Sequence, residues 1–205
     1  MVPIKTDTTR SDSIETNRKS GNLIIISGPS GVGKTTLYKA VLKRFSDLLY
    51  SVSHTTRKPR YDEQQGVDYH FISEVDFKKR IHEGRWAEWA VVHGHYYGTS
   101  ADFLNKGLSS GHDILLDIDV QGTMQILKHF PDSITVFLLP PSMDDLKNRL
   151  RLRGSDSGPD IEKRLLNAKK EMEQKDTYRY VVVNDHLNVA IEKLVSIVEK
   201  ERLSV

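Results

Sequence analysis

The stretch GPSGVGKTT, residues 28–36, sets Gly28 five positions before Gly33, with Lys34 and two hydroxyls, Thr35 and Thr36, directly after. It lies between a β-branched run, NLIIIS, and a segment with helical spacing, LYKAVLKRF. Glycines at these places let backbone N–H groups turn inward as a cradle for phosphate oxygens. The start of the following helix adds a field that favours an anion. Lys34 can reach β- and γ-phosphates, and the Thr35 hydroxyl can ligate Mg²⁺. The run Gly28, Pro29, Ser30, Gly31, Val32, Gly33, Lys34, Thr35 and Thr36 therefore reads as the seat of a nucleoside triphosphate. The bland alternative is a Gly/Ser turn before a helix, and the strand–loop–helix context weighs against it. A bound triphosphate does not name a reaction, because GTPases, ATPases, motor proteins and small-molecule kinases share this loop.

A second substrate must be sought elsewhere. Arg57 and Arg60 stand three residues apart beside Pro59, a pattern suited to bidentate capture of another phosphate. The hydroxyls of Tyr69 and Tyr97 can donate to the same anion. A solvated basic loop would look similar in composition. Glu88 sits among tryptophans and valines in WAEWAVV, where a lone carboxylate needs a partner. A guanine edge, with N1–H and the N2 amine side by side, is one such partner, and Ser53 or Thr99 could serve the remaining edge atoms. A strand glutamate paired with Lys or Arg is the plainer reading. Arg149 and Arg153 are four apart on one helical run, so they share a face. Gly154 and the following SDSGP can act as a hinge, bringing positive charge to a transferring phosphoryl group only on closure. His93 and His95 lack a third metal ligand nearby and read as surface histidines. Trp86 and Trp89 read as packing.

These side chains need elements to hold them. Leu23–Ser27, Asp113–Val120 and Ile134–Leu139 are short apolar runs expected as buried strands, with a last one over 178–185. Helices are expected over Thr35–Phe45, over Ser73 to Gly84 with a Ser73/Asp76 cap, and over QGTMQILKHF before Pro131. Another should follow Ser142, a longer one should be capped by Asp160, and an amphipathic one should close the chain. WAEWAVVHGHYYGT should form two strands turning at Gly94. Strands alternating with helices imply an α/β fold with a parallel sheet covered on both faces. The 205 residues suffice for one such domain with small inserted lobes. A net charge of +2 is too small to argue for a nucleic-acid groove or a membrane patch. No apolar run nears the roughly 20 residues of a membrane span. The absence of cysteine excludes disulfides and thiolate chemistry and fits a reducing, cytoplasmic setting. Residues 1–20 are polar and read as a disordered tail rather than a secretory signal.

Taken together, SGPSGVGKTTL, SVSHTTRKPRYDE with GVDYHF, WAEWAVVHGHYYGTS, LLDIDVQG, FLLPPSMDDLKNRLRLRG, IEKRLLNA and VVVND resemble the guanylate kinases, in family order over residues 22–203. The resemblance implies a P-loop NTPase-type parallel sheet flanked by helices, with an inserted mixed α+β GMP-binding lobe and a small helical lid. It implies transfer of the γ-phosphoryl group of ATP to GMP, with Mg²⁺. Arg57, Arg60, Tyr69 and Tyr97 match the clamp on the GMP phosphate, and Ser53, Glu88, Thr99 and Asp119 match positions around the guanine. Position 99 is threonine where some members have serine, and the hydroxyl survives. Asp117 could help organise the metal beside Thr35. Arg149, Arg153 and Arg164 match the lid and its flank, and with Lys34 and Arg57 they form the expected catalytic set. The expected division is a core of 21–52, 101–143 and 166–205, a GMP lobe of 53–100 and a lid of 144–165. Small-molecule substrates are expected rather than nucleic acid or membrane, with a homo-oligomer left open. A non-catalytic binding module and a kinase for another nucleotide or sugar phosphate are the rivals.

Overall fold

The computed structural model of the chain describes residues 20–92, 94–152 and 157–203. Five strands, β1 (Leu23–Ser27), β2 (Leu49–Tyr50), β7 (Ile114–Asp117), β8 (Ile134–Leu139) and β9 (Tyr180–Val183), form one sheet in the order β2-β7-β1-β8-β9. Every pairing in it is parallel. Four more, β3 (His54–Thr55), β4 (His70–Phe71), β5 (Trp86–Val92) and β6 (His95–Ser100), form a second, mixed sheet in the order β4-β3-β6-β5. The helices are α1 (Lys34–Arg44), α2 (Glu74–His82), α3 (Ala101–Ser109), α4 (Val120–His129), α5 (Met143–Leu152), α6 (Gly158–Met172) and α7 (Leu187–Leu203).

The central strands β1, β7 and β8 are buried on both faces, which is why they read as unbroken apolar runs, while the edge strand β9 leaves Val181 and Val183 exposed. Ile24, Ile26, Val136 and Leu138 pack under α1 and α7 with Leu37, Val41, Leu194 and Val198. Leu23, Ile25, Ile114 and Leu116 point the other way, toward Leu104 and Leu108 of α3 and Ile126 of α4. Adjacent residues of β1 therefore alternate between the two cores, as a pleated strand requires. Burying each such side chain contributes about 1.5–3 kcal/mol relative to leaving it exposed.

Several expected boundaries move. The run from Asp113 to Val120 is strand only as far as Asp117. Ile118 leaves the ladder, and Asp119 becomes the N-cap of α4, its Oδ1 accepting from the Gly122 N–H at 2.8 Å. α6 begins before Asp160: Ser157 precedes its first turn, and the Ser157 N–H and hydroxyl both donate to Asp160 Oδ2, at 3.4 and 2.6 Å. A serine followed three residues later by an acid caps as well as an aspartate does, with Pro159 already suited to the first turn. Ser73 caps α2 and Ser142 caps α5, both accepting at 3.0 Å from the N–H three residues on. Residues 1–19 of the expected tail over 1–20, His93, and Arg153 with the hinge residues 154–156 lie outside the described residues. Trp86 stacks on Phe77, with centroids 4.3 Å apart, while Trp89 is more than a third exposed at 37%.

Candidate active site

Because β1 and β7 run parallel with Ile26 opposite Asp117, Ser27 and Asp117 both finish their strands at the carboxyl-terminal edge of the sheet. The loop from Gly28 to Gly33 climbs from that edge into α1. Gly28 has φ 146°, and a side chain there would sit 2.5 Å from the Leu138 carbonyl. Gly33 has φ 101°, and its own Cβ would meet Asn184 Nδ2 at 2.6 Å. Both positions demand glycine for conformation and for space. Asn184, buried just past β9, donates from Nδ2 to the Val32 carbonyl at 2.8 Å. Arg149 of α5 donates to the carbonyls of Asn184 at 2.8 Å and Val32 at 3.3 Å. The loop is thus braced by two residues far away in sequence. Lys34 turns its ammonium back onto the Gly28 carbonyl at 2.6 Å. That contact satisfies the cation within the loop, next to where an anion would draw it out.

Ser30, Gly31, Gly33, Lys34, Thr35, Thr36 and Arg149 line a hollow of about 350 Å³. A second hollow, about 340 Å³, is lined by Ser30, Lys34, Ser53, Tyr69, Glu88, Tyr97, Asp117 and Asp119 among others. The two share Ser30 and Lys34. Arg164 of α6 donates to the Ser30 hydroxyl at 3.0 Å, so it too stands at the junction.

In the second hollow, Glu88 of β5 lies directly opposite Thr99 of β6. The pairing slips between Trp86 and Glu88, and this bulge buries both Ala87 and Glu88 where strict alternation would expose one. Ala87 joins the core under α3, and Glu88 faces α4. The Thr99 hydroxyl donates to Glu88 Oε1 at 2.6 Å. Burial pushes the Glu88 carboxyl up to about 7; the Thr99 bond opposes the shift and the nearby Asp119 carboxylate adds to it. A buried carboxyl poised near neutrality, with Oε1 already partnered, is built to receive donors on its remaining oxygen.

Arg57 does not line this hollow but touches two residues that do, Tyr97 and Tyr69. It donates through Nε to the Tyr97 hydroxyl at 3.2 Å, and through a terminal nitrogen to Glu63 at 2.7 Å. Its guanidinium also lies over the Tyr69 ring, 5.5 Å from the centroid. Glu63 takes the Arg60 backbone N–H at 2.8 Å with its other oxygen. The Arg57 bond holds Glu63 well below the usual carboxylate range. Sequence reasoning missed Glu63, the carboxylate that ties the Arg57 guanidinium to the Arg60 backbone. The Arg-x-x-Arg-x-x-Glu spacing could have flagged it. Arg60 itself is exposed.

Asp117 carries a buried Oδ1 with no hydrogen-bond partner. Burial raises its carboxyl, and the Lys34 charge draws it back down. A hard divalent cation suits such an oxygen. Among the described residues no three His, Cys, Asp or Glu side chains cluster to hold a metal. Any cation there would take its other ligands from phosphate oxygens and water. Among those residues, too, no helix is long and apolar enough to cross a membrane.

Known proteins resemble this chain in sequence and in fold. The guanylate kinase family model matches residues 20–201. A guanylate kinase of Caldanaerobacter subterraneus subsp. tengcongensis is 45% identical over 188 residues, covering 92% of this chain and 91% of the relative. One of Thermotoga maritima is 45% identical over 185 residues, 90% of this chain and 89% of the relative. The crystal structure of guanylate kinase from Anaplasma phagocytophilum superposes with a TM-score of 0.71 at 29% identity, over 90% of this chain and 87% of that one. With a family model spanning nearly all the described residues and relatives matched along almost their full length, this chain belongs to the guanylate kinase family.

Proposed function

We infer that this chain is an ATP:GMP phosphotransferase, giving ADP and GDP. The observation that carries the reading is the pair of hollows meeting at Ser30 and Lys34. One is a phosphate cradle, and the other ends in a buried carboxyl near neutrality. ATP occupies the loop from Gly28 to Thr36. GMP occupies the second hollow, its guanine edge on Glu88 with Ser53, Thr99 and Asp119, its phosphate between Arg57, Arg60, Tyr69 and Tyr97. In this reading residues 53–100 form the acceptor lobe and 144–165 the lid. Residues 21–52, 101–143 and 166–205 form the core.

A GMP phosphate oxygen attacks the γ-phosphorus in line. A new P–O bond forms as the bond to the β-phosphate bridging oxygen breaks, and ADP leaves. That nucleophile is anionic at neutral pH, so no general base is required. Lys34 leaves the Gly28 carbonyl to follow the γ-phosphoryl charge, while Arg57 aligns the attacking phosphate. Arg164, already on Ser30, and the lid residues Arg149 and Arg153 neutralise charge that grows in the transition state. Closure excludes water and so prevents idle ATP hydrolysis. Thr35 and Asp117 would hold Mg²⁺, which when bound supplies charge neutralisation on the β- and γ-oxygens. The cysteine-free composition suits a reducing cytoplasm.

The test is an ADP-release assay with ATP and, in turn, GMP, AMP, UMP and CMP. GMP should be turned over far faster than the others. Equal rates on AMP and GMP would remove the guanine assignment, and no turnover on any would favour a binding module.

A further inference from the structure

Gly122 lies in the first turn of α4, buried, in ordinary helical backbone. Nothing in its conformation calls for glycine, and glycine weakens a helix relative to alanine. The reason lies across the gap to β5. A Cβ on Gly122 would stand 2.9 Å from Glu88 Oε2 and 3.3 Å from Glu88 Cδ. Contacts below 3.0 Å force something to shift. Oε2 is the oxygen that Thr99 leaves available, since Thr99 holds Oε1.

The helix cannot simply step back. One turn further along the same face, the Gln125 side chain clamps β5. Its Nε2 donates to the Trp89 carbonyl at 3.0 Å, and its Oε1 accepts from the Trp89 N–H at 3.2 Å. At the other end, Asp119 ties the Gly122 N–H itself at 2.8 Å. The Gln125 clamp thus holds α4 against β5 one turn from Gly122, while the Asp119 cap keeps the first turn of α4 in shape. The part free to yield is the end of the Glu88 side chain.

We propose that Gly122 determines base specificity: its missing side chain is the space that seats the Glu88 carboxylate, so α4 sets where the guanine edge must dock. The proposal rests on the reading of Glu88 as the guanine acceptor. An alanine at 122 leaves the fold standing, because a flexible side-chain end moves in place of backbone. It turns the carboxylate away from the guanine, and the loss falls on GMP alone.

The test is Gly122→Ala, Glu88→Gln and the double variant in the full chain, each measured for KM of GMP, KM of ATP, kcat and thermal midpoint. Gly122→Ala should raise KM for GMP about tenfold or more while leaving KM for ATP within about twofold. Its thermal midpoint should equal or exceed wild type, because alanine is the better helix former. The double variant should match Glu88→Gln within about twofold, because both changes act through one carboxylate. An unchanged KM for GMP in Gly122→Ala, with Glu88→Gln impaired, overturns the proposal and leaves the Glu88 reading intact. A lowered thermal midpoint with both KM values raised alike also overturns it, showing a general packing defect. If Glu88→Gln binds GMP normally, the reading beneath the proposal fails and the proposal goes with it.

Discussion

Thr99, fully buried, donates a hydroxyl hydrogen bond to Glu88 across 2.6 Å, strand to strand, behind a carboxyl that lines the hollow meeting the Gly28–Gly33 loop. The bond fixes one carboxylate oxygen and leaves the other for a ligand. Glu88→Gln replaces that acceptor with an amide that presents its own donors. KM for GMP should rise about 10- to 100-fold, with KM for ATP nearly unchanged, in steady-state assays varying each nucleotide. Thr99→Ser should stay close to wild type, because the hydroxyl is kept.

The Glu88 carboxyl, lifted by burial to about 7, makes GMP use depend on pH. Guanine donors need the ionised form. In the nucleotide-free protein a proton competes with them as pH falls through about 7. kcat/KM for GMP should therefore drop below neutrality, approaching tenfold per pH unit, while Glu88→Gln should lose this limb. Stability runs the opposite way. A carboxyl raised in the folded state favours folding fully below its unfolded value, and that contribution is lost as pH rises through about 7. At pH 8 and without nucleotide, Glu88→Gln should be more stable than wild type by on the order of 1–3 kcal/mol in denaturant titrations.

Lys34 holds the Gly28 carbonyl and has only to swing outward to meet a phosphate. Lys34→Ala should lower kcat about 10²- to 10³-fold with a much smaller change in KM for GMP. A variant with normal turnover would reject the loop as the donor site.

Glu63 grips Arg57 with one oxygen and the Arg60 backbone with the other. Glu63→Ala should loosen the phosphate end of the acceptor site without touching the base end. The expected result is a KM for GMP raised about three- to tenfold, with the preference for GMP over AMP unchanged. A changed base preference would contradict this division of the hollow.

The phosphate loop was legible because all its parts are local: strand, glycines, lysine and helix follow one another within one short stretch. Glu88 stood out as a carboxylate among apolar neighbours, yet its burial depends on a bulge that no periodicity announces. Asp119 sat inside an expected strand because Ile118 and Val120 continue the apolar run, and only its bond to Gly122 shows a cap. The two-residue strands β2, β3 and β4 are too short to carry a pattern, and tertiary pairing alone makes them strands. Asn184 bracing Val32 joins residues 152 positions apart, a contact no local signal encodes.

The most direct test of the whole account is a crystal structure with GMP and a non-hydrolysable ATP analogue bound together. The account expects guanine N1–H and its amine on Glu88, the GMP phosphate between Arg57 and Arg60, and the analogue's γ-phosphate facing it across Lys34. A GMP molecule bound elsewhere, with the Arg57 guanidinium still on Glu63 and no ligand beside Glu88, would contradict it.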